Sequence, residues 1–198
     1  DGQTLLFSHG YNIHYGVIQP PEFINVVMAA PSGAGTELRK RYTDGSGIPG
    51  LFAVHQDHSG DSEKIVLAYC RAIGLTKSGV VKSTFKEETE TDLFGEQIII
   101  TGGIPKLIQL SYKVLLESGY SPAVSWLVCY YELKTIVDMF HSKGFEFMNA
   151  AISDTAEYGG ITRGNRIIDQ HVEDEMRIVL KEIQSGEFHK EWQKEAED

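Results

Sequence analysis

An α/β half followed by an all-helical half is what the apolar periodicity of this 198-residue chain predicts. Short apolar runs closed by turn residues alternate with helical stretches up to about residue 80. From Thr84 onward only the helical period remains. The strand-like runs are Leu5–His9, Ile24–Ala30 and Leu51–His55, rich in β-branched or aromatic residues and bounded by Gly and Pro. Helical stretches over Gly35–Tyr42 and Asp61–Ile73 lie between them, the second opened by Asp-Ser and stopped at Gly74. Strands alternating with helices predict a parallel, Rossmann-like sheet, here a partial one with few strands.

In the second half, Glu87–Ile100 reads as one helix ended by Gly102-Gly103. Pro105 then stands in the first turn of a helix over Lys106–Ser118. Pro122–Ser142 is long, with Trp126, Cys129, Tyr130, Leu133, Ile136, Val137 and Phe140 spread around it, so burial on more than one side is expected. Asp169–Lys190 reads as a charged amphipathic tail helix. The expected division is 1–82 and 83–198. The chain opens at Asp1 without Met and passes at once into an apolar run, which reads as a start inside a fold.

Composition narrows the partners. A formal charge of −10 and a pI near 5.2 argue against a nucleic-acid ligand, whose phosphates need concentrated Lys and Arg. No uninterrupted apolar run approaches the ~18 residues of a membrane span, and hydrophobic residues make up 41%, enough for a core. Cys70 and Cys129 lack metal-ligand spacing, so two buried thiols and a cytoplasmic location are expected. A half sheet leaves a bare edge strand, and a helix apolar on so many sides needs a partner. A homodimer or higher homo-oligomer formed through the helical half is the expectation.

The chemistry-bearing segment is Thr84–Gln97. It spaces Glu88, Asp92 and Glu96 four residues apart, so on a helix three carboxylates share a face. Such oxygen ligands suit a hard divalent cation. An acidic helix N-terminus opened by a Thr84-x-x-Glu87 capping box is the structural alternative. Gly45-Ser-Gly-Ile-Pro-Gly50 spells a dinucleotide fingerprint but precedes a strand, and Pro49 blocks the helix that chemistry requires. Ser32-Gly-Ala-Gly35, between a strand and a helix, is the better anion loop.

Together with that segment, Phe7–His14, Ala30–Gly35, Tyr131–Lys134, Ile152–Gly159 and the closing Gln184–Phe188 resemble the ketol-acid reductoisomerases, in the family's order along nearly the whole chain. The resemblance implies a knotted, dimerising helical domain and an enzyme of branched-chain amino-acid biosynthesis. Such an enzyme shifts an alkyl group of a 2-acetohydroxy acid with Mg²⁺ and then reduces the product with NADPH. By resemblance Asp92 bridges the metals, Glu96 and Glu132 are further metal ligands, and Glu132 comes from a second copy of the chain. Ser153 matches a substrate-contacting serine, and His9, Pro31 and Ser32 match residues lining the site. Three departures stand beside these matches. Ser32 takes the place of a lysine, Val128 that of a glutamate four residues before Glu132, and the half of the NADPH site with the dinucleotide fingerprint is absent. They leave open a catalytically degenerate paralogue or fragment, acting in metal or ligand binding or in assembly.

Overall fold

A computed structural model describes residues 2–197. They divide into two compact units, Asp1–Leu93 with Glu182–Asp198, and Phe94–Lys181.

The first unit is built on a four-stranded sheet in sequence order: β1 (Thr4–Phe7), β2 (Asn25–Pro31), β3 (Gly50–Gln56) and β4 (Val80–Lys82). The helices among these strands are α1 (Tyr11–His14), α2 (Gly35–Asp44) and α3 (Ser62–Ala72), and α4 (Phe85–Gly95) follows β4. Strand β2 is the buried centre, which its unbroken Val26-Val27-Met28-Ala29-Ala30 run encodes. Its alternating side chains feed two cores. Val26, Met28 and Ala30 join Ile13, Ile24, Ala53 and Phe85 on one face. Val27 and Ala29 join Ile48, Phe52, Val66, Cys70 and Leu75 on the other, so α3 covers that side.

The sheet is mixed rather than all-parallel. β1 and β2 are parallel, as are β3 and β4, but β2 and β3 are antiparallel, with Pro31 opposite Gly50. The cause is the path of α2. It leaves the end of β2 and returns to the same end, where Ser32 N–H donates to the Pro49 carbonyl at 2.9 Å. That makes an antiparallel hairpin with a helix inserted, not a crossover.

Asn25, at 1% exposure, ties the other end of the sheet together. Its Nδ2 donates to Thr4 Oγ1 and Ser59 Oγ (3.3 and 3.0 Å), and its Oδ1 accepts from the His58 and Ser59 N–H groups (2.8 and 3.0 Å). Asn25→Ala removes these hydrogen bonds, but His58 and Ser59 are exposed and can turn to water, so a loss of about 1–3 kcal/mol is expected in urea unfolding. A loss below about 1 kcal/mol would contradict it.

The second unit is helical: α5 (Gly103–Glu117), α6 (Pro122–Trp126), α7 (Glu132–Ala151), α8 (Asp154–Ile167) and most of α9 (Gln170–Ser185). Two π-helical segments interrupt what the sequence reads as continuous helix, Glu96–Ile100 and Leu127–Tyr131. In the first, the Thr101 and Gly102 N–H groups both bond to Glu96 O. The wide turn is possible because Gly102 and Gly103 follow. A Cβ on either would stand 1.9 Å from the carbonyl oxygen of Gln97 or Ile98. Gly144, at φ 85° and ψ 170°, breaks α7.

Burial on several sides of the long helix is not realised within one chain. Among the described residues of this unit only Ser125 is buried, while Trp126, Val128, Tyr131, Val114, Phe145 and Ile161 are exposed. Cys70 is buried as expected, but Cys129, in the second π-helical segment, is only partly so. The described residues also contain one long apolar helical stretch. The helical stretch Phe85–Glu117 contains an 18-residue window of mean hydropathy 1.2, long and apolar enough by composition to cross a bilayer. Polar and Gly residues from Thr101 to Gly103 break the apolar run in sequence without lowering the average much.

The tail does not form one helix over Asp169–Lys190. Gly186, at φ 77°, separates α9 from α10 (Glu187–Glu197), and α10 belongs to the first unit.

Candidate functional site

Parallel strands β1 and β2 end on the same edge of the sheet, which places His9 and Pro31 at one edge, where open α/β sheets gather ligands. Helix α4 starts beside them. Thr84 Oγ1 accepts from Glu87 N–H at 3.0 Å, as the capping-box spacing predicts, while the Glu87 carboxylate accepts from Ser83 Oγ at 2.7 Å. One turn further, Glu88 points into the first unit and is only 4% exposed.

A buried carboxylate must be satisfied, and Glu88 is. Its Oε2 accepts from the Gly10 backbone N–H at 2.7 Å, and its Oε1 lies 2.8 Å from His9 Nδ1. A carboxylate can only accept, so the His9 proton sits on Nδ1 and the ring is orientated. The approach requires glycine at position 10. A Cβ there would lie 2.5 Å from Phe85 O, 2.6 Å from Thr89 Oγ1 and 2.9 Å from Glu88 Oε2.

Asp92, four residues after Glu88, brings Oδ2 to 3.6 Å from the same Nδ1. Ligand-type atoms of His9, Glu88 and Asp92 all lie within 4.8 Å of one another. Partial burial pushes the Asp92 carboxyl above its ordinary range, and the Glu88 charge pushes it further, against an opposing pull from His9. With the Glu88 oxygens taken by Gly10 and His9, the Asp92 carboxylate is the oxygen donor that this cluster offers, with no Lys or Arg beside it. That donor chemistry fits a hard divalent cation such as Mg²⁺.

The structure therefore brings His9, Glu88 and Asp92 together and adds Gly10, which sequence reasoning did not place in the site. The four-residue spacing already singled out Glu88, but its bond to a backbone amide 78 positions away left no trace in the sequence. Pro31 and Ser32 lie at the β2 terminus, where Ser32 is exposed and held by its own N–H. Glu96, Glu132 and Ser153 belong to the second unit. Glu96 opens the first π-helical segment, and Glu132 directly follows the second and is exposed. Ser153 caps α8, its Oγ accepting from Ala156 N–H at 3.3 Å. Val128 lies inside the second π-helical segment and is 53% exposed.

Residues 85–198 match the family model described as the C-terminal domain of ketol-acid reductoisomerase, and residues 1–79 match the NADPH-binding domain of acetohydroxy acid isomeroreductase. The chain is 52% identical over 198 residues to a ketol-acid reductoisomerase (NADP(+)) of Clostridioides difficile, and 50% identical over 197 residues to one of Methanocaldococcus jannaschii. Each alignment takes in 100% of this chain and 60% of the relative, so the chain spans about 60% of the length of these curated relatives. A solved structure of an NADH-preferring ketol-acid reductoisomerase from an uncultured archean superposes with a TM-score of 0.95 at 43% identity. That alignment covers 98% of this chain and 59% of the other.

Proposed function

Since the chain belongs to the ketol-acid reductoisomerase family, we propose that it carries the metal-binding part of a Mg²⁺- and NADPH-dependent enzyme acting on 2-acetohydroxy acids. The observation that carries this reading is the cluster of His9, Glu88 and Asp92 at the sheet edge. Asp92 offers the cation its carboxylate, with Glu96 as a further ligand and Glu132 supplied from a second copy of the chain. Bound Mg²⁺ would supply Lewis-acid stabilisation of the charge that develops on two adjacent substrate oxygens during alkyl migration. Bound NADPH would supply the hydride.

This chain's own residues do the positioning. Glu88 holds the His9 ring with its proton on Nδ1, and Gly10 N–H anchors Glu88 from behind. Glu88 is thus a support for the site rather than an open ligand. Pro31 and Ser32 line the same sheet edge, and Ser153 contributes a hydroxyl to substrate. Fewer residues of the chain suit NADPH. Ser32–Gly35 leads from β2 into α2 and fits one anionic group.

A homo-oligomer completes the proposal. A helical unit with one buried residue and exposed Trp126, Tyr131 and Phe145 lacks a core of its own, so a second copy covers those faces. A monomer at micromolar concentration in solution scattering would overturn this part. The enzyme is proposed to act in the cytoplasm.

Ser32 and Val128 favour a second reading, a family member that keeps the scaffold but has lost turnover. An exposed serine hydroxyl cannot replace an ammonium group, and an exposed valine offers a cation nothing. The deciding test is NADPH oxidation with 2-acetolactate and Mg²⁺, on the longest natural form of the protein beside its Ser32→Lys/Val128→Glu variant. Turnover by the unmodified protein is expected under the first reading. Turnover only in the variant would establish the second.

A further inference from the structure

Helix α10 folds back onto the segment that carries His9. Before the Gly186 turn, Ile183 is fully buried and its carbonyl accepts from the Tyr15 hydroxyl at 2.8 Å. The turn itself packs on Tyr15, since a Cβ on Gly186 would lie 3.8 Å from that ring. Beyond it, His189 stacks flat on Tyr15, with centroids 4.6 Å apart and planes at 4°. His189 Nδ1 is also 2.7 Å from the Tyr11 hydroxyl, and Trp192 meets Tyr11 edge-on at 5.4 Å.

These rings hold an element that cannot hold itself. Helix α1 has four residues and no side-chain N-cap, far short of a self-stable helix. Ile13 roots it in the core from one side, and the α10 rings grip it from the other. Tyr11 in turn lies over the His9 ring, at 6.1 Å and 22°. Gly10, between them in sequence, makes the bond to Glu88.

We propose that α10 is a latch that positions His9: His189 and Trp192, acting through Tyr11, hold the His9–Gly10 backbone against Glu88. His189 touches none of the reacting groups and is a positioning residue. Only the functional consequence, tighter cation binding, rests on the metal reading above; the latch itself does not.

The test uses the full chain and two variants that delete one hydrogen bond from opposite sides. His189→Phe keeps the stack on Tyr15, and Tyr11→Phe keeps the rings on either side of it. Histidine-selective ¹⁵N NMR follows the His9 Nδ1–H donated to Glu88, assigned by its loss in His9→Gln, and Mn²⁺ titration reads cation affinity. Each variant is expected to speed exchange of that proton and to weaken Mn²⁺ binding by roughly three- to tenfold, less than removal of a direct support of a metal ligand. The double variant should go no further than either single one, because all three remove the same bond. A lower melting midpoint with an unchanged His9 signal would overturn the latch and leave α10 a structural brace. If the His9 signal responds but the unmodified protein binds no Mn²⁺, the latch stands and the metal reading falls.

Discussion

Asp92→Asn is expected to stabilise the protein without divalent cation and to disable it in the presence of Mg²⁺. The first half follows from proton linkage. The Asp92 carboxyl is raised above its ordinary value, first by burial and then by Glu88. A carboxyl so raised gives its full stability when protonated, and loses it as pH rises through the folded-state value. At pH 7 the ionised Asp92 therefore opposes folding, and the neutral amide removes that cost. The melting midpoint of the variant should exceed that of the parent at pH 7. The gain should shrink as pH falls through the carboxylate range, and it should be modest because the side chain is 49% exposed. Mg²⁺ inverts the order. A cation at a hundred times its dissociation constant stabilises the parent by about 2.7 kcal/mol, and the variant forfeits this. Turnover, if the parent has it, should fall by about a hundredfold or more, the loss seen when one preorganised charged group is removed. Equal stabilisation of both proteins by Mg²⁺ in a thermal melt would refute the assignment of Asp92 as a ligand.

Gly10→Ala is the second large effect. The backbone at this position is ordinary helical (φ −78°, ψ −11°), so no conformational strain is involved. Space is the issue, since the added methyl meets Phe85 O at 2.5 Å and Glu88 Oε2 at 2.9 Å. Overpacking costs about 1–3 kcal/mol, and losing a hydrogen bond to a charged group about 1.5–3 kcal/mol more. A total near 3 kcal/mol or above is expected as a lower urea midpoint with unchanged slope. Cation binding should fall with it, because His9 loses its support when Glu88 moves. A loss under about 1 kcal/mol would show that the loop simply shifts away, and that Glu88 is held by other means.

Much of this is legible in the amino-acid sequence. The strands expected at Leu5–His9, Ile24–Ala30 and Leu51–His55 lie within two residues of those found, because β-branched runs between turn residues signal strands locally. The acidic segment is recognisable by its four-residue spacing alone, and Asp92 is where that spacing places it. Strand direction is not legible. Periodicity says that β2 and β3 are strands, but only the return of α2 to its starting edge makes them antiparallel. β4 escapes because three residues carry too little pattern. The π-helical segments escape because a single wide turn leaves the apolar period almost intact.

Local order along the chain thus determined the elements, the acidic face and the family resemblance, since each depends on neighbours within a few residues. Tertiary structure decided the roles. Glu88 looked like one of three equivalent carboxylates. It became the buried anchor of His9 only because Gly10, 78 residues earlier, leaves room for its oxygen. His189 lies within the stretch that reads as a charged amphipathic tail, and the fold makes it a partner of Tyr11, 178 residues away. Burial and long-range hydrogen bonds set the chemistry of a polar side chain, and neither is written in the spacing of the residues beside it.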